Sequence, residues 1–194
     1  MNKASALPES RFPTVARPLW PSARAVHYAL ESWDLTADLE SGFAEQLERA
    51  RRYLENLLGE TDVEAGKQEI AEIFSRLQNG TLLKRLLASP EFVAARELPI
   101  LMPPASDEGS EPIAGVSGTV DLLLRDSDGD YTVIYFKTDR VESEDAMRSR
   151  AEIYAPQLAT YARAIGESLG LDKLPNTEIW FLWPHRSWSV ACRS

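Results

Sequence analysis

The chain has 194 residues, a net charge of −9 and a hydrophobic fraction of 44%, which is the composition of a soluble globular protein with room for one sizeable core. No apolar run reaches the roughly 18 residues of a membrane span, and the first residues lack the apolar core of a secretory signal. A single cysteine, Cys192, excludes an intrachain disulfide and a cysteine-cluster metal site, and it fits a reducing cytoplasm. The acidic balance argues against nucleic-acid binding over the whole surface, but it permits DNA to enter a local metal-lined cleft.

The N-terminal part of the chain is predicted to be an extended segment followed by helices. Residues 1–21 are rich in proline, which indicates an extended segment preceding a single domain of residues 22–194. Ser22 is a candidate N-cap for a helix over residues 23–33. Apolar residues at helical spacing predict further helices within residues 42–88.

Two polar side chains fall within predicted apolar elements of this region. His27 lies beside the apolar stripe of the first helix, where a single histidine is more often a packing residue than a ligand. Residues 92–102 predict a strand that contains Glu97. A glutamate there is compatible with an exposed edge strand, which would also tolerate Pro99. Position alone therefore assigns neither side chain to a site.

A predicted β-hairpin organises the rest of the chain. The runs Val116–Arg125 and Tyr131–Lys137 are apolar and rich in β-branched or aromatic residues, and the turn between them contains Gly129, which is free to take positive φ. Asp121 and Lys137 are charged residues within these strands. A buried carboxylate and ammonium are costly unless they pair or take part in chemistry, and the hairpin alone favours neither explanation.

The C-terminal part is predicted to be a long helix and two strands. The helix spans residues 145–170, or begins near Pro156 after a short lead-in. Strands over residues 177–183 and 187–192 follow, with His185 as a solvated residue at the turn between them. Packing within the sheet is the favoured role, over stacking on bases, for three tryptophans: Trp180, Trp183 and Trp188.

Five short segments follow one another in a specific order. They are Ala23-Arg-Ala-Val-His27-Tyr-Ala-Leu-Glu31, Arg96-Glu97-Leu98-Pro99, Gly118-Thr-Val-Asp121-Leu-Leu, Tyr135-Phe136-Lys137-Thr138-Asp139, and Tyr154-x-x-Gln157-Leu158-x-x-Tyr161. This order resembles the PD-(D/E)XK nuclease domain of the RecB/AddA (UvrD-type) helicase–nucleases over about residues 20–192. The resemblance implies an α/β, restriction-endonuclease-like fold with a mixed central sheet flanked by helices.

The resemblance also implies a metal site. It makes His27, Asp121, Glu97 and the backbone carbonyl of Phe136 the ligands of Mg²⁺ or Mn²⁺, with Asp121 counted as catalytic as well. Carboxylates that hold such an ion allow it to activate water and to neutralise phosphate charge.

Further residues receive roles from the same resemblance. Lys137 is expected to position the water and stabilise developing charge, with Gln157 and Tyr161 beside it in the cleft. Tyr154, Gln157 and Arg140 are expected to contact DNA. The partners implied are DNA and a helicase motor domain or partner helicase–nuclease subunit in the bacterial cytoplasm, with no membrane.

One position departs from the family pattern. Tyr135 stands where the second-strand acid is expected, and strand alternation places it on the same face as Lys137 and Asp139. A neutral phenol is a poor Mg²⁺ ligand, and Asp139 lies roughly 7 Å farther along the strand, so it does not replace the acid. Glu97 remains as a substitute ligand. We therefore expect weakened metal binding and slow or absent cleavage.

Three functions stay open at this point. The first is a Mg²⁺- or Mn²⁺-dependent DNA exonuclease that forms the C-terminal domain of a DNA repair helicase. The second is an inactive nuclease-like module that guides DNA or scaffolds a partner subunit, which Tyr135 favours. The third is an acidic α/β domain without a DNA role, which the net charge of −9 keeps open.

Overall fold

The computed structural model describes residues 21–36, 39–58, 63–88, 90–102 and 116–191. The predicted extended segment falls outside these ranges except for Pro21, as does the predicted loop at 103–114. Four helices precede the first strand: α1 (Pro21–Glu31), α2 (Leu39–Leu58), α3 (Val63–Asn79) and α4 (Thr81–Ala88). A single 3₁₀ turn, Pro90–Phe92, leads into that strand.

The remaining elements are five strands and one long helix. They are β1 (Val93–Met102), β2 (Val116–Arg125), β3 (Tyr131–Lys137), α5 (Glu144–Leu169), β4 (Asn176–Phe181) and β5 (Arg186–Val190). The strands form one sheet in the order β1-β2-β3-β4-β5. Only β3 and β4 are parallel, and α5 connects them, as a parallel pair requires a crossover. The architecture is therefore α/β with a mixed five-stranded sheet flanked by helices.

Both faces of the sheet are covered. Helices α1 to α4 pack on one face, where Leu122, Ile134 and Phe136 belong to their core cluster. Helix α5 packs on the other face against residues that include Val120 and Val133. Because each face has its own core, a polar side chain that replaces a strand residue near the centre becomes enclosed.

Most of the predicted elements are confirmed, and the hairpin is one of them. Gly129 has φ 88° in its turn, as the turn chemistry predicted. Pro99 lies on β1, an edge strand of the described sheet. The prediction for Ser22 was wrong: α1 begins at Pro21, whose fixed φ suits a first helical position. Ser22 is buried within the first turn and donates a hydrogen bond to Glu69.

The alternative start of the last helix near Pro156 was also wrong. Helix α5 is continuous through Pro156, begins after Ser143 and ends at Gly170. The Ser143 hydroxyl accepts a hydrogen bond from the Ala146 N–H at 3.2 Å, and Gly170 takes the left-handed conformation at φ 62°. Both are the expected caps of a helix.

The β4–β5 turn is less exposed than its sequence indicated. Trp180 and Trp183 are buried, which confirms packing as their role. The prediction of a solvated His185 was wrong, because its ring packs against Gly80, where a Cβ atom would lie within 2.0 Å of the imidazole. Burial lowers the pKa of His185. None of the described helices has the length and apolar character needed to cross a membrane.

Candidate active site

Asp121 lies where the central hairpin stops pairing. The paired residues of β2 and β3 end at Leu122 and Ile134. Beyond that point the Asp121 side chain replaces the ladder, since its Oδ2 accepts a hydrogen bond from the Phe136 N–H at 2.6 Å. The carboxylate is only 6% exposed. A buried charge of this kind requires partners, and two other elements supply them.

Helix α1 brings His27 to this carboxylate. His27 Nδ1 lies 3.1 Å from Asp121 Oδ1, and the imidazole meets the Phe136 ring edge-on at 5.9 Å between centroids. His27 Nε2 is buried and has no hydrogen-bond partner among the described residues. The packing explanation left open by the sequence accounts for the ring contact, but not for a buried imidazole nitrogen without a partner.

Strand β1 brings Glu97 to the same place. Its neighbours Arg96 and Leu98 pair with Leu122 and Val120, so Glu97 faces Asp121 across the strand pair. Glu97 has φ 44°, a left-handed conformation that a glutamate rarely adopts. Strain of this kind is retained where the surroundings over-determine it, and it is frequent at functional sites.

The two acids share an electrostatic cost. Burial raises the pKa of Glu97 to about 7, and the Asp121 carboxylate raises it further while His27 opposes the shift. A divalent cation between the two carboxylates would remove this repulsion.

The residues present fit a divalent metal ion. His27, Glu97 and Asp121 each offer one ligand atom, and these three atoms lie within 4.8 Å of one another. Two carboxylates and an imidazole form a suitable ligand set for Mn²⁺, and the carboxylates suit Mg²⁺. Phe136, the fourth predicted ligand, is held against Asp121 through its N–H.

Lys137 lies between two aromatic rings. Its Nζ is 3.9 Å from the centroid of Tyr135 and 4.2 Å from that of Tyr154. The residue is 8% exposed, and burial lowers its pKa, while the carboxylates of Asp121 and Asp139 oppose this shift. The ammonium is therefore stabilised by ring faces as well as by acids.

Tyr135 occupies the predicted ligand position as a neutral group. Its ring is edge-on to Tyr154 and Tyr161, and burial, followed by the Asp121 charge, raises the pKa of its phenol. The contact between Tyr135 and Lys137 confirms that they share a strand face. Asp139 lies 3.4 Å from the Tyr154 hydroxyl, which donates to it, and 3.9 Å from Arg150.

Gln157 and Tyr161 line the α5 side of this group. Gln157 Nε2 donates to the Tyr161 hydroxyl at 2.6 Å and also interacts with Tyr135. The Tyr161 hydroxyl lies over Gly118, where a Cβ atom would be 2.0 Å away. Burial raises the pKa of Tyr161. The small residue of the Gly-x-Val-Asp motif thus admits Tyr161 next to the strand of Asp121.

Arg140 is placed apart from these contacts. Its guanidinium lies 3.6 Å from Glu69 and 3.9 Å from Glu72 on α3, and it stacks over Trp183 at 4.1 Å. The other predicted site residues meet around Asp121 or the tyrosines beside it. The sequence carried no signal for Arg76, which lies over the same Trp183 ring.

Replacing Glu97 with glutamine should flatten the pH dependence of stability. An acid whose pKa rises on folding from 4.5 to about 7 binds its proton more tightly in the folded state, so stability falls as pH rises through that window. For this half-buried group we expect a loss of about 1–2 kcal/mol after solvent screening. Urea unfolding of metal-free protein across this range should show the loss in the native chain. An equally steep fall in Glu97→Gln would contradict it.

The fold and the site together define an α/β domain with a candidate divalent-metal centre of one histidine and two acids. No family model matches the chain. Over 119 residues, or 59% of its length, the chain is 34% identical to an ATP-dependent helicase/nuclease subunit of Carboxydothermus hydrogenoformans. The chain spans about a tenth of that protein (10%).

Proposed function

We propose that the chain is a nuclease-like domain of the RecB/AddA type, with a restriction-endonuclease-like fold, that binds Mg²⁺ or Mn²⁺ and acts on DNA beside a helicase subunit in the bacterial cytoplasm. The observation that carries the proposal is the convergence of His27, Glu97 and Asp121 from three separate elements. The similarity to a helicase/nuclease subunit supports it.

The chemistry proposed is hydrolysis of a DNA phosphodiester. A divalent ion at this centre would activate water and neutralise phosphate charge. Asp121 is positioned by its bonds to Phe136 and His27, so it would present its carboxylate without rearrangement. Lys137 offers a proton donor and a positive charge next to that acid.

Tyr135 weakens this chemistry. Its ring occupies the position of a second-strand ligand and covers the Lys137 ammonium. A site with one carboxylate fewer holds its cation less tightly, and the lysine must leave two aromatic faces to reach a phosphate. We therefore propose slow cleavage.

The same observation favours a second candidate function. If the lysine stays between the rings of Tyr135 and Tyr154 when DNA binds, the domain would hold DNA and a metal ion without cutting. It would then guide a strand for a partner helicase–nuclease subunit.

One set of measurements separates these functions. Purified protein is titrated with Mn²⁺ by calorimetry and incubated with linear double- and single-stranded DNA, with Asp121→Asn as the control for contaminating nuclease. Slow degradation that requires Mn²⁺ and Asp121 supports the nuclease. Mn²⁺ binding without degradation supports the guiding module. Absence of Mn²⁺ binding in native, folded protein would overturn both.

A further inference from the structure

We propose that Arg76, Arg140 and Trp183 form a phosphate-binding surface, the arginine–tryptophan patch, that holds the backbone of a DNA strand beside the candidate metal centre. The proposal rests on the proposed function and adds to it a contact surface for the substrate. It gives the exposed residue Arg76 a role.

The patch is built on one indole ring. The guanidinium carbon of Arg76, in the last turn of α3, lies 4.5 Å from the Trp183 ring centroid, and that of Arg140 lies 4.1 Å away. Both arginine side chains are exposed, whereas Trp183 is 7% exposed. Two like charges held over one ring repel each other, so the arrangement costs energy unless an anion completes it.

Neither guanidinium is fully neutralised by the protein. Within the described part of the chain, Arg76 has no ion pair, although the chain carries a net charge of −9. Arg140 faces Glu69 and Glu72 at 3.6 and 3.9 Å, well beyond the roughly 2.7–2.9 Å of a charge-assisted hydrogen bond. Exposed pairs at such distances contribute little. The donors of both guanidiniums therefore remain available to phosphate oxygens, whose geometry they match.

The position of the patch identifies the anion as DNA. The Leu182 N–H donates to the Lys137 carbonyl at 2.7 Å, so Trp183 is the next residue after a direct contact with the active-site strand. Arg140 follows Lys137 by three residues, which limits their Cα separation to about 11 Å. A strand whose phosphate reaches Asp121 thus continues within reach of the patch.

The type of contact follows from the stacking. Because the arginines cover the Trp183 ring, the ring does not present its face to a base. The patch would read phosphates only, and binding would not depend on sequence. Such contacts release counterions, so the affinity should depend on salt.

The test measures binding of a fluorescein-labelled oligothymidylate by anisotropy, in EDTA so that neither metal nor cleavage contributes. Arg76→Gln and Arg140→Gln should each weaken binding about 3- to 10-fold and lower the slope of log affinity against log salt by about 0.7. Arg148→Gln is the matched control, because Arg148 is exposed and pairs with Asp145 on α5. It should change affinity by less than about 2-fold.

Glu72→Gln gives a result of opposite sign. It removes a carboxylate that competes with phosphate for Arg140, so we expect affinity to rise about 2- to 5-fold. Thermal unfolding of each variant checks that the fold is retained. Equal weakening by Arg76→Gln and Arg148→Gln, an unchanged salt slope in Arg76→Gln, or absence of binding at low salt would overturn the patch. Calorimetry with Mn²⁺ tests the metal centre separately, since Arg76→Gln should leave that titration unchanged.

Discussion

Asp121→Asn is expected to weaken Mn²⁺ binding by at least about 100-fold while the protein stays folded. Asp121 is the residue that the other two candidate ligands share, because its Oδ1 lies 3.1 Å from His27 and its carboxylate faces Glu97. Asparagine keeps an oxygen that can accept the Phe136 N–H bond, so the local backbone should be retained. Only the negative charge is lost, and a cation needs that charge.

The alanine variant separates charge from structure. Asp121→Ala leaves the buried Phe136 N–H and the His27 ring without their partner, which should cost about 2–4 kcal/mol of unfolding free energy. Asp139→Asn is the matched control, since Asp139 belongs to the same strand end but contacts Tyr154 and Arg150. Calorimetry and urea unfolding measure both effects. Equal loss of Mn²⁺ affinity in Asp139→Asn and Asp121→Asn would contradict a centre at Asp121.

Local chemistry explains why much of the fold could be predicted. The hairpin has its own turn glycine at Gly129, and α5 has an apolar face and a terminal Gly170, so these elements depend on neighbours in sequence. The mixed sheet follows once a helix of this length separates β3 from β4. The order of the motifs predicted which side chains would meet, and His27 and Asp121 do meet although 94 residues separate them.

Other features depend on contacts between distant segments. The left-handed backbone at Glu97 arises where β1 faces Asp121, and no residue type in β1 signals it. His185 is buried because the β4–β5 turn meets the junction before α4, where Gly80 leaves space. Arg140 was grouped with the DNA contacts of the cleft, yet α3 and Trp183 hold it on a separate surface. Periodicity describes one element at a time and does not encode such meetings.

Tyr135→Asp is expected to strengthen Mn²⁺ binding by at least 10-fold, about 1.4 kcal/mol, and to raise DNA cleavage by about 100-fold or more. The Tyr135 ring now separates Lys137 from the cleft at 3.9 Å. An aspartate there would add a carboxylate near Asp121 and would exchange the ring face for an ion pair with the lysine. Both changes favour a bound cation and a lysine that faces substrate.

The same change should destabilise the metal-free protein. Loss of the ring that packs against Tyr154 and Tyr161 and the added repulsion with Asp121 should cost about 2–4 kcal/mol. Saturating Mn²⁺ should restore much of this, so the rise in melting temperature with Mn²⁺ should be larger in Tyr135→Asp than in the native chain. Metal rescue of stability therefore reports a new ligand independently of catalysis.

Two matched variants identify which property of Tyr135 matters. Tyr135→Asn has nearly the shape of the aspartate without its charge, and Tyr135→Phe keeps the ring over Lys137 while removing the hydroxyl. Neither should gain Mn²⁺ affinity or cleavage. If Tyr135→Asn gained as much cleavage as Tyr135→Asp, release of Lys137 from the rings would be the cause. Adding Asp121→Asn to Tyr135→Asp should abolish the gain, because a restored second-strand acid binds metal only together with the acid on β2.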